Sequence, residues 1–576
     1  MQLLPSTEIV VRDFRVILLW PLRIEGHGKL FVDRKDPDVG AAKWLSSYSE
    51  WIKSTGVWVE IPDYYKDAGR AHEPTEEERY SEFLYFHPFI QRCFYSPEQP
   101  VRTLKRTDIR AARVVLGGRD HPWLCGVERL NLFLFPTDIA ILAIQLDNPV
   151  AEGPANPFFL SDAMDFLDWV RRIYPPWFDT RDGKLSSGGT PTSVEWIGAQ
   201  NDRRGDASNY QSTTDFLEFV REKRTTPVAS HWRTLLEPLL PMGTSRGEPY
   251  LTYAQVEDDR LPLCASVAVD DPRSISHQDW VRLAFCDSHG NSEEWPYSSK
   301  FLRDFERQNC YDRFWEAHDD PDPKKSKTTR FLISGYSFIT VGRRGDWFFD
   351  ANVVEHLQQH YFLLCVLAHL QKASLLSFWS RLAAMLHEHE QDGQNRASQT
   401  RLIEAQEWLL HDLTDFVSRF YFREVSNQLQ AIELFDIIGA KLRIKELFQD
   451  VVEQSEFVGG ILFEKWERES TEKQTQLAHL AKESTGKQTQ LAQLANRWLP
   501  AVFTVTLLGL SLGLPTVQNQ IENWLGKDQG FSWAKVATGA GFALVSFLAA
   551  WLAVLGLIWV VRKAVSNERR PAGDRE

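Results

Sequence analysis

The sequence predicts an α+β cytosolic domain, long α-helices after it, and a C-terminal two-helix transmembrane hairpin. Three observations predict it. Strand-like and helix-like apolar patterns alternate over residues 1–350, helical spacing is sustained over 351–466, and two long charge-free stretches lie near the end. The 576 residues are 43% hydrophobic and 25% charged, which excludes a disordered chain. A formal net charge of −13 excludes a whole-molecule basic footprint, so no nucleic-acid partner is expected. The six cysteines are scattered without a CxxC pair, which points to a reducing compartment and away from a disulfide scaffold or cysteine zinc site. The N-terminus lacks the pattern of a signal peptide, since Arg12, Asp13 and Arg15 interrupt its apolar run.

Within 1–350, strand-like runs occupy Glu8–Leu19, Val57–Ile61, Arg113–Leu116 and Arg129–Leu146. The last is split by Phe135-Pro136-Thr137-Asp138 and reads as a hairpin. Another strand pair is expected around Arg330–Thr340, and helices over Ser161–Ile173 and Thr214–Arg224. Segment 179–213 is rich in Gly, Ser, Asp and Arg and reads as a long loop, as does 318–327.

The helical domain is expected over 351–468. Asp350 offers an N-cap, and Val354, Leu357, Tyr361, Leu364, Ala368, Leu375 and Leu382 recur at helical spacing. A polar break at 391–400 precedes a second helical tract, with bends expected at Gly439 and Gly459-Gly460. Residues 469–482 and 483–496 are a tandem repeat of two heptads, a stalk helix over 469–497 with a thin coiled-coil seam at Leu477, Leu480, Leu491 and Leu494.

Residues 498–517 and 536–561 carry no charge, and each reaches the roughly 20 helical residues needed to cross a bilayer. Arg497 before the first span and Arg562, Lys563, Arg569 and Arg570 in the tail (562–576) place both termini in the cytoplasm and the short loop 518–535 outside. The expectation is a multi-pass protein of the inner or plasma membrane. Gly509 and Gly513 form a GxxxG suited to close helix packing. Thr504, Leu508 and Ser511 share one face of the first span, an uncharged stripe that suits a pore lining when several copies assemble, or hydroxyls bonded to their own helix.

No GxGxxG, Walker A, GxSxG or HExxH pattern occurs, so the chain is read as a non-enzyme. His356 and His360 are four apart in HLQQH, which lacks the zincin glutamate and reads as a core or interface pair. His387-Glu388-His389-Glu390 reads as a solvated helix end, and Asp319, Asp320 and Asp322 lack EF-hand spacing.

The order of cytosolic α+β domain, long helices, stalk, two closely spaced spans and basic tail resembles the CorA family of divalent-cation transporters and channels. In architecture the resemblance covers the whole chain, and in sequence it covers roughly 400–563. It implies a pentamer whose first span lines the pore, and a divalent cation such as magnesium as cargo. The family's Gly-Met-Asn motif after the first span is absent, because methionine occurs only at Met1, Met164, Met242 and Met385. Gly513, Asn519 and Glu522 are the candidates for the pore mouth. The departure leaves two expectations: an oligomeric channel gated by its cytosolic domain, or a membrane-anchored regulatory or stress/defence effector whose cytosolic domain senses a ligand or partner.

Overall fold

The computed structural model describes residues 4–458, apart from the short segments 32–40, 97–99, 118–120, 153–155, 182–183, 206, 208–212, 258, 291–295, 317–326 and 392–395. The expected stalk (469–497), spans (498–517 and 536–561), loop (518–535) and tail (562–576) lie outside the described residues. Two compact units divide at Gly460/Ile461, and everything described belongs to the first.

That unit is built on a mixed sheet. Its N-terminal half comprises β1 (Val11–His27), β2 (Val59–Ile61), β3 (Arg102–Lys105), β4 (Ile109–Val115), β5 (Trp123–Leu134) and β6 (Ile139–Ala151). The hairpin expected at 129–146 is β5 and β6, longer at both ends, with Asp138 in the left-handed region at the turn. The segment 179–213 is not one long loop. It holds the separate hairpin β7 (Trp177–Arg181) and β8 (Lys184–Gly188), then β9 (Ser193–Gly198) and β10 (Arg203–Arg204). Next come β11 (Leu240–Pro241), β12 (Tyr250–Gln255), β13 (Leu263–Val269), β14 (Cys310–Tyr311), β15 (Arg330–Ile333) and β16 (Ser337–Arg343). The main path runs β10-β9-β4-β5-β6-β1-β13-β16-β15-β14, with β12 and β3 branching from β1 and β5. Pairing is antiparallel except β13 with β16 and β11 with β12.

The central strands are apolar on both faces, which is why simple alternation is weak in them. From β1, Val16, Leu18, Trp20 and Leu22 enter a large core shared with helices Ala41–Ser54, Leu160–Trp169, Ser230–Leu236 and His277–Phe285. Ile17 and Leu19 are buried on the opposite face, where helix His360–Gln391, here the central helix, crosses β1 and β6. Phe133 of β5 meets Phe362, and Phe135 in the turn after β5 meets Phe420, on this side. The segment 349–387 is long and apolar enough to cross a membrane, but 83% of its apolar window is buried within the protein, as a core helix requires.

The helical run differs from expectation in three places. Its cap is Asp346, whose Oδ1 accepts from the Phe348 N–H at 3.1 Å, while Asp350 lies inside the first turns and accepts from the Gly345 N–H. A π turn at Phe349–Val353 and a break at Gln359 (φ −118°, ψ −99°) interrupt what reads as one continuous helix. After helices Arg396–Arg419 and Leu429–Lys441, the chain turns at Arg443 (φ 55°) rather than at Gly439, and another helix covers 444–458.

Candidate functional site

The sheet has a gap beside β5. Strands β3 and β4 both pair with it, β3 along residues 131–134 and β4 along 123–126. Between them, 106–108 swing off, held by the Arg106 N–H donating to the Leu130 carbonyl at 3.0 Å. Loop 66–74 fills the gap: Arg70 bridges Arg129, the Ala71 N–H donates to the Glu128 carbonyl at 2.7 Å, and Asn131 Nδ2 donates to the Ala68 carbonyl at 3.0 Å. Gly69 (φ +68°) makes this approach feasible, since a Cβ there would sit 2.3 Å from Asn131 Oδ1. Loop and swung-off segment enclose a cleft of ≈ 270 Å³ whose lining includes Lys66, Arg70, Lys105, Arg106, Arg110 and Arg129.

A β-bulge aims one of these arginines. The β5–β6 register shifts between Val127 and Arg129, leaving Glu128 as the extra residue. Trp123, Cys125 and Val127, then Leu130, Leu132 and Leu134, belong to the large core, whereas Arg129 sits on the central-helix side. Its side chain is 1% exposed. Nη2 donates to the Gln358 carbonyl at 2.7 Å, Nη1 to Tyr64 Oη at 3.4 Å, and the guanidinium lies 4.0 Å from the centre of the Phe362 ring. Its Nε has no partner, and none of these contacts is a carboxylate. Burial pulls its pKa below the usual arginine value and the nearby Arg70 cation adds to the fall, with Tyr64 and the Glu82 carboxylate opposing.

The other cations are mostly matched. Arg70 pairs with Glu82 at 2.7 Å, both nearly fully buried, and Glu82 also accepts from Tyr95 Oη at 2.9 Å. Arg106 forks onto Asp108 and donates to the Thr234 and Leu235 carbonyls, and Lys105 pairs with Asp67. Among the described residues, exposed Arg110 has no ion pair. Glu73 and Glu128 supply negative charge, and Glu128 accepts from the His72 N–H at 2.7 Å. The lining carries six cations against the carboxylates of Asp67, Glu73 and Glu128, and Asp63, Glu82 and Asp108 from outside it pair with Lys66, Arg70 and Arg106. Its anomaly is Arg129: a buried cation bonded to dipoles and a ring face, with Glu82 near it but no carboxylate bonded to it.

The helix break lies directly against Arg129, since the Gln358 carbonyl that Arg129 caps belongs to the interrupted turn. The break leaves His356 and His360 neighbours, their rings 4.3 Å apart, with His360 stacked on Tyr85 at 4.2 Å. Burial lowers the His356 pKa to about 4 and that of His360 well below its usual value, with His356 and Arg70 adding to the latter. Both imidazoles are therefore neutral at pH 7. His360 Nδ1 and Tyr85 Oη have no hydrogen-bond partner. The pair is core-facing as expected, and among the described residues no group of three or more His, Cys, Asp or Glu is placed to hold a metal ion.

A second polar cluster carries the ingredients of a nucleophile triad but not its wiring. His289 Nδ1 meets Asp165 at 2.7 Å, yet Ser288 Oγ donates to Asp168 at 2.6 Å rather than to the imidazole. Asp168 also binds Arg172, which binds Asp259. These bonds fasten a loop to helix Leu160–Trp169.

Of the residues singled out in the sequence, Thr504, Leu508, Gly509, Ser511, Gly513, Asn519 and Glu522 lie outside the described residues. So do Asp319, Asp320 and Asp322, and the side chains of 388–390. Arg70 and Arg129 were missed. The available signal was a single arginine heading the apolar run RLNLFLF. Comparison with protein families, curated proteins and solved structures finds no match for this chain.

Proposed function

We propose that this protein is an oligomeric two-span membrane channel or transporter of the CorA type, passing a divalent cation such as magnesium and regulated by its large N-terminal unit. Its membrane is the inner or plasma membrane, with both termini in the cytoplasm and self-assembly around the first span. The carrying observation is the pair of charge-free stretches, 498–517 and 536–561, behind a repeat that preserves helical phase. A folded N-terminal unit with a cleft, followed by successive helices, suits a regulatory role. Thr504, Leu508 and Ser511 line the pore in this reading, and Gly513, Asn519 and Glu522 stand at its mouth.

Cation flux into proteoliposomes tests it. The Thr504→Leu/Ser511→Leu variant is expected to lower flux on the order of tenfold, a barrier change of about 1.4 kcal/mol. Absence of flux under any cation gradient overturns the reading. The missing Gly-Met-Asn motif favours a second one, a membrane-anchored regulatory or defence effector that senses a ligand or partner. Full cellular activity after both spans are exchanged for an unrelated anchor selects this second reading.

A further inference from the structure

We infer that the cleft beside β5 is a binding site for the phosphoryl group of a small phosphorylated ligand, with Arg129 as its receiving cation and Arg110 at its rim. The inference supplies a ligand for the regulatory role proposed above and rests on that role only for its biological purpose.

The first ground is Arg129 itself. A guanidinium is charged at every working pH, and Arg129 is buried with no carboxylate bonded to it, the nearby Glu82 being paired with Arg70, so a further anion at its free donor is favourable. Its acceptors are one carbonyl and one phenol, and Nε is unused. Arg70, on the facing loop, also has an unused buried Nε. Two buried guanidinium donors of the same lining thus lack acceptors, whereas the Arg106 fork is filled by Asp108.

The second ground is direction. Arg129 comes from β5, Arg70 from loop 66–74, and Arg110 from β4. A phosphate monoester presents three oxygens tetrahedrally and accepts from donors on several sides, while a carboxylate presents two in one plane. The size fits too: ≈ 270 Å³ is close to the lower end of ordinary ligand pockets, room for a small metabolite rather than a peptide.

The site also has a readout. The Arg129 Nη2 that caps the Gln358 carbonyl belongs to the same planar group a phosphate would engage. Drawing that group toward a ligand weakens the cap on the interrupted turn, at the start of the helices leading to residue 458. Arg129 is thereby shared between ligand and helix.

Full-length protein in detergent is titrated calorimetrically with inorganic phosphate, glucose 6-phosphate, AMP and citrate. Inorganic phosphate and at least one ester are expected to bind, and citrate not; the stronger ester tells a sugar phosphate from a nucleotide. Arg129→Met is expected to weaken binding on the order of 100-fold. Arg110→Gln, exposed and outside the fold's ion pairs, is expected to weaken it by a smaller factor without lowering the melting temperature. No binding by any phosphate-bearing probe at millimolar concentration, equal binding by citrate, or unchanged affinity in Arg110→Gln overturns the inference. None of these measurements reads ion flux, so a failed channel assay with intact phosphate binding refutes the channel alone.

Discussion

Glu82→Gln is the most informative single change beneath the cleft. The Glu82 carboxylate is 5% exposed and its partner Arg70 6% exposed, at 2.7 Å, with Tyr95 Oη as a second donor. The amide keeps the shape and one acceptor but removes the charge, leaving Arg70 and Arg129 as neighbouring buried cations. Removing one partner of a buried pair costs about 3–5 kcal/mol. With an unfolding entropy of about 2.1 cal/mol/K per residue over the first unit, Met1–Gly460, that is a fall in melting temperature of about 3–5 °C. Replacing both charges, Arg70→Met/Glu82→Met, removes the orphan as well as the pair and is expected to lie above the single variant, within about 1–2 °C of the parent or higher. The assay is thermal unfolding of the detergent-solubilised chain followed by near-ultraviolet circular dichroism. A single variant that melts within 1 °C of the parent, or a double variant no better than the single, refutes the view that this pair holds the cationic cluster in place.

Two further outcomes follow from named contacts. Gly69→Ala puts a Cβ 2.3 Å from Asn131 Oδ1 at φ +68°, and should cost about 2–4 kcal/mol. Gly56→Ala has a similar φ with nothing within 4 Å, and should cost only about 1 kcal/mol; equal melting temperatures for the two would show that loop 66–74 does not press on β5. Glu257 is buried, which alone would raise its pKa. The hydrogen bond from His369, the His369 charge and Lys372 at 2.8 Å outweigh this and bring it down to about 2. A depressed folded pKa contributes stability above about pH 4.5 that is lost as pH falls toward 2, here about 3 kcal/mol. Glu257→Gln should flatten the acid limb of stability against pH in that window, and an unchanged limb refutes the assignment.

Local patterns carried much of the architecture into the sequence. Helix Leu160–Trp169 and the 129–146 hairpin were legible because apolar residues and turn chemistry there are contiguous. The β7–β8 hairpin was not, since Asp179, Thr180, Lys184 and Ser186 give it no apolar alternation. The site was almost wholly hidden. Arg129 becomes special only through a one-residue register shift against β6, and the break at Gln359 sits in an apolar run that continues helical spacing on either side. Both depend on partners distant in sequence: β6 is opposite only after the hairpin closes, and Gln358 is 229 residues from the arginine that caps it.

The buried apolar segment 349–387 imposes an order on biogenesis. It meets the length and composition that an insertion machinery selects for, and it leaves the ribosome before the stretches at 498–517 and 536–561. Every strand of the sheet that covers it has been synthesised by then. Prompt docking of the nascent helix onto that waiting surface withdraws it from lipid. A lesion that delays closure of the sheet therefore exposes an apolar segment with the length and composition of a membrane span.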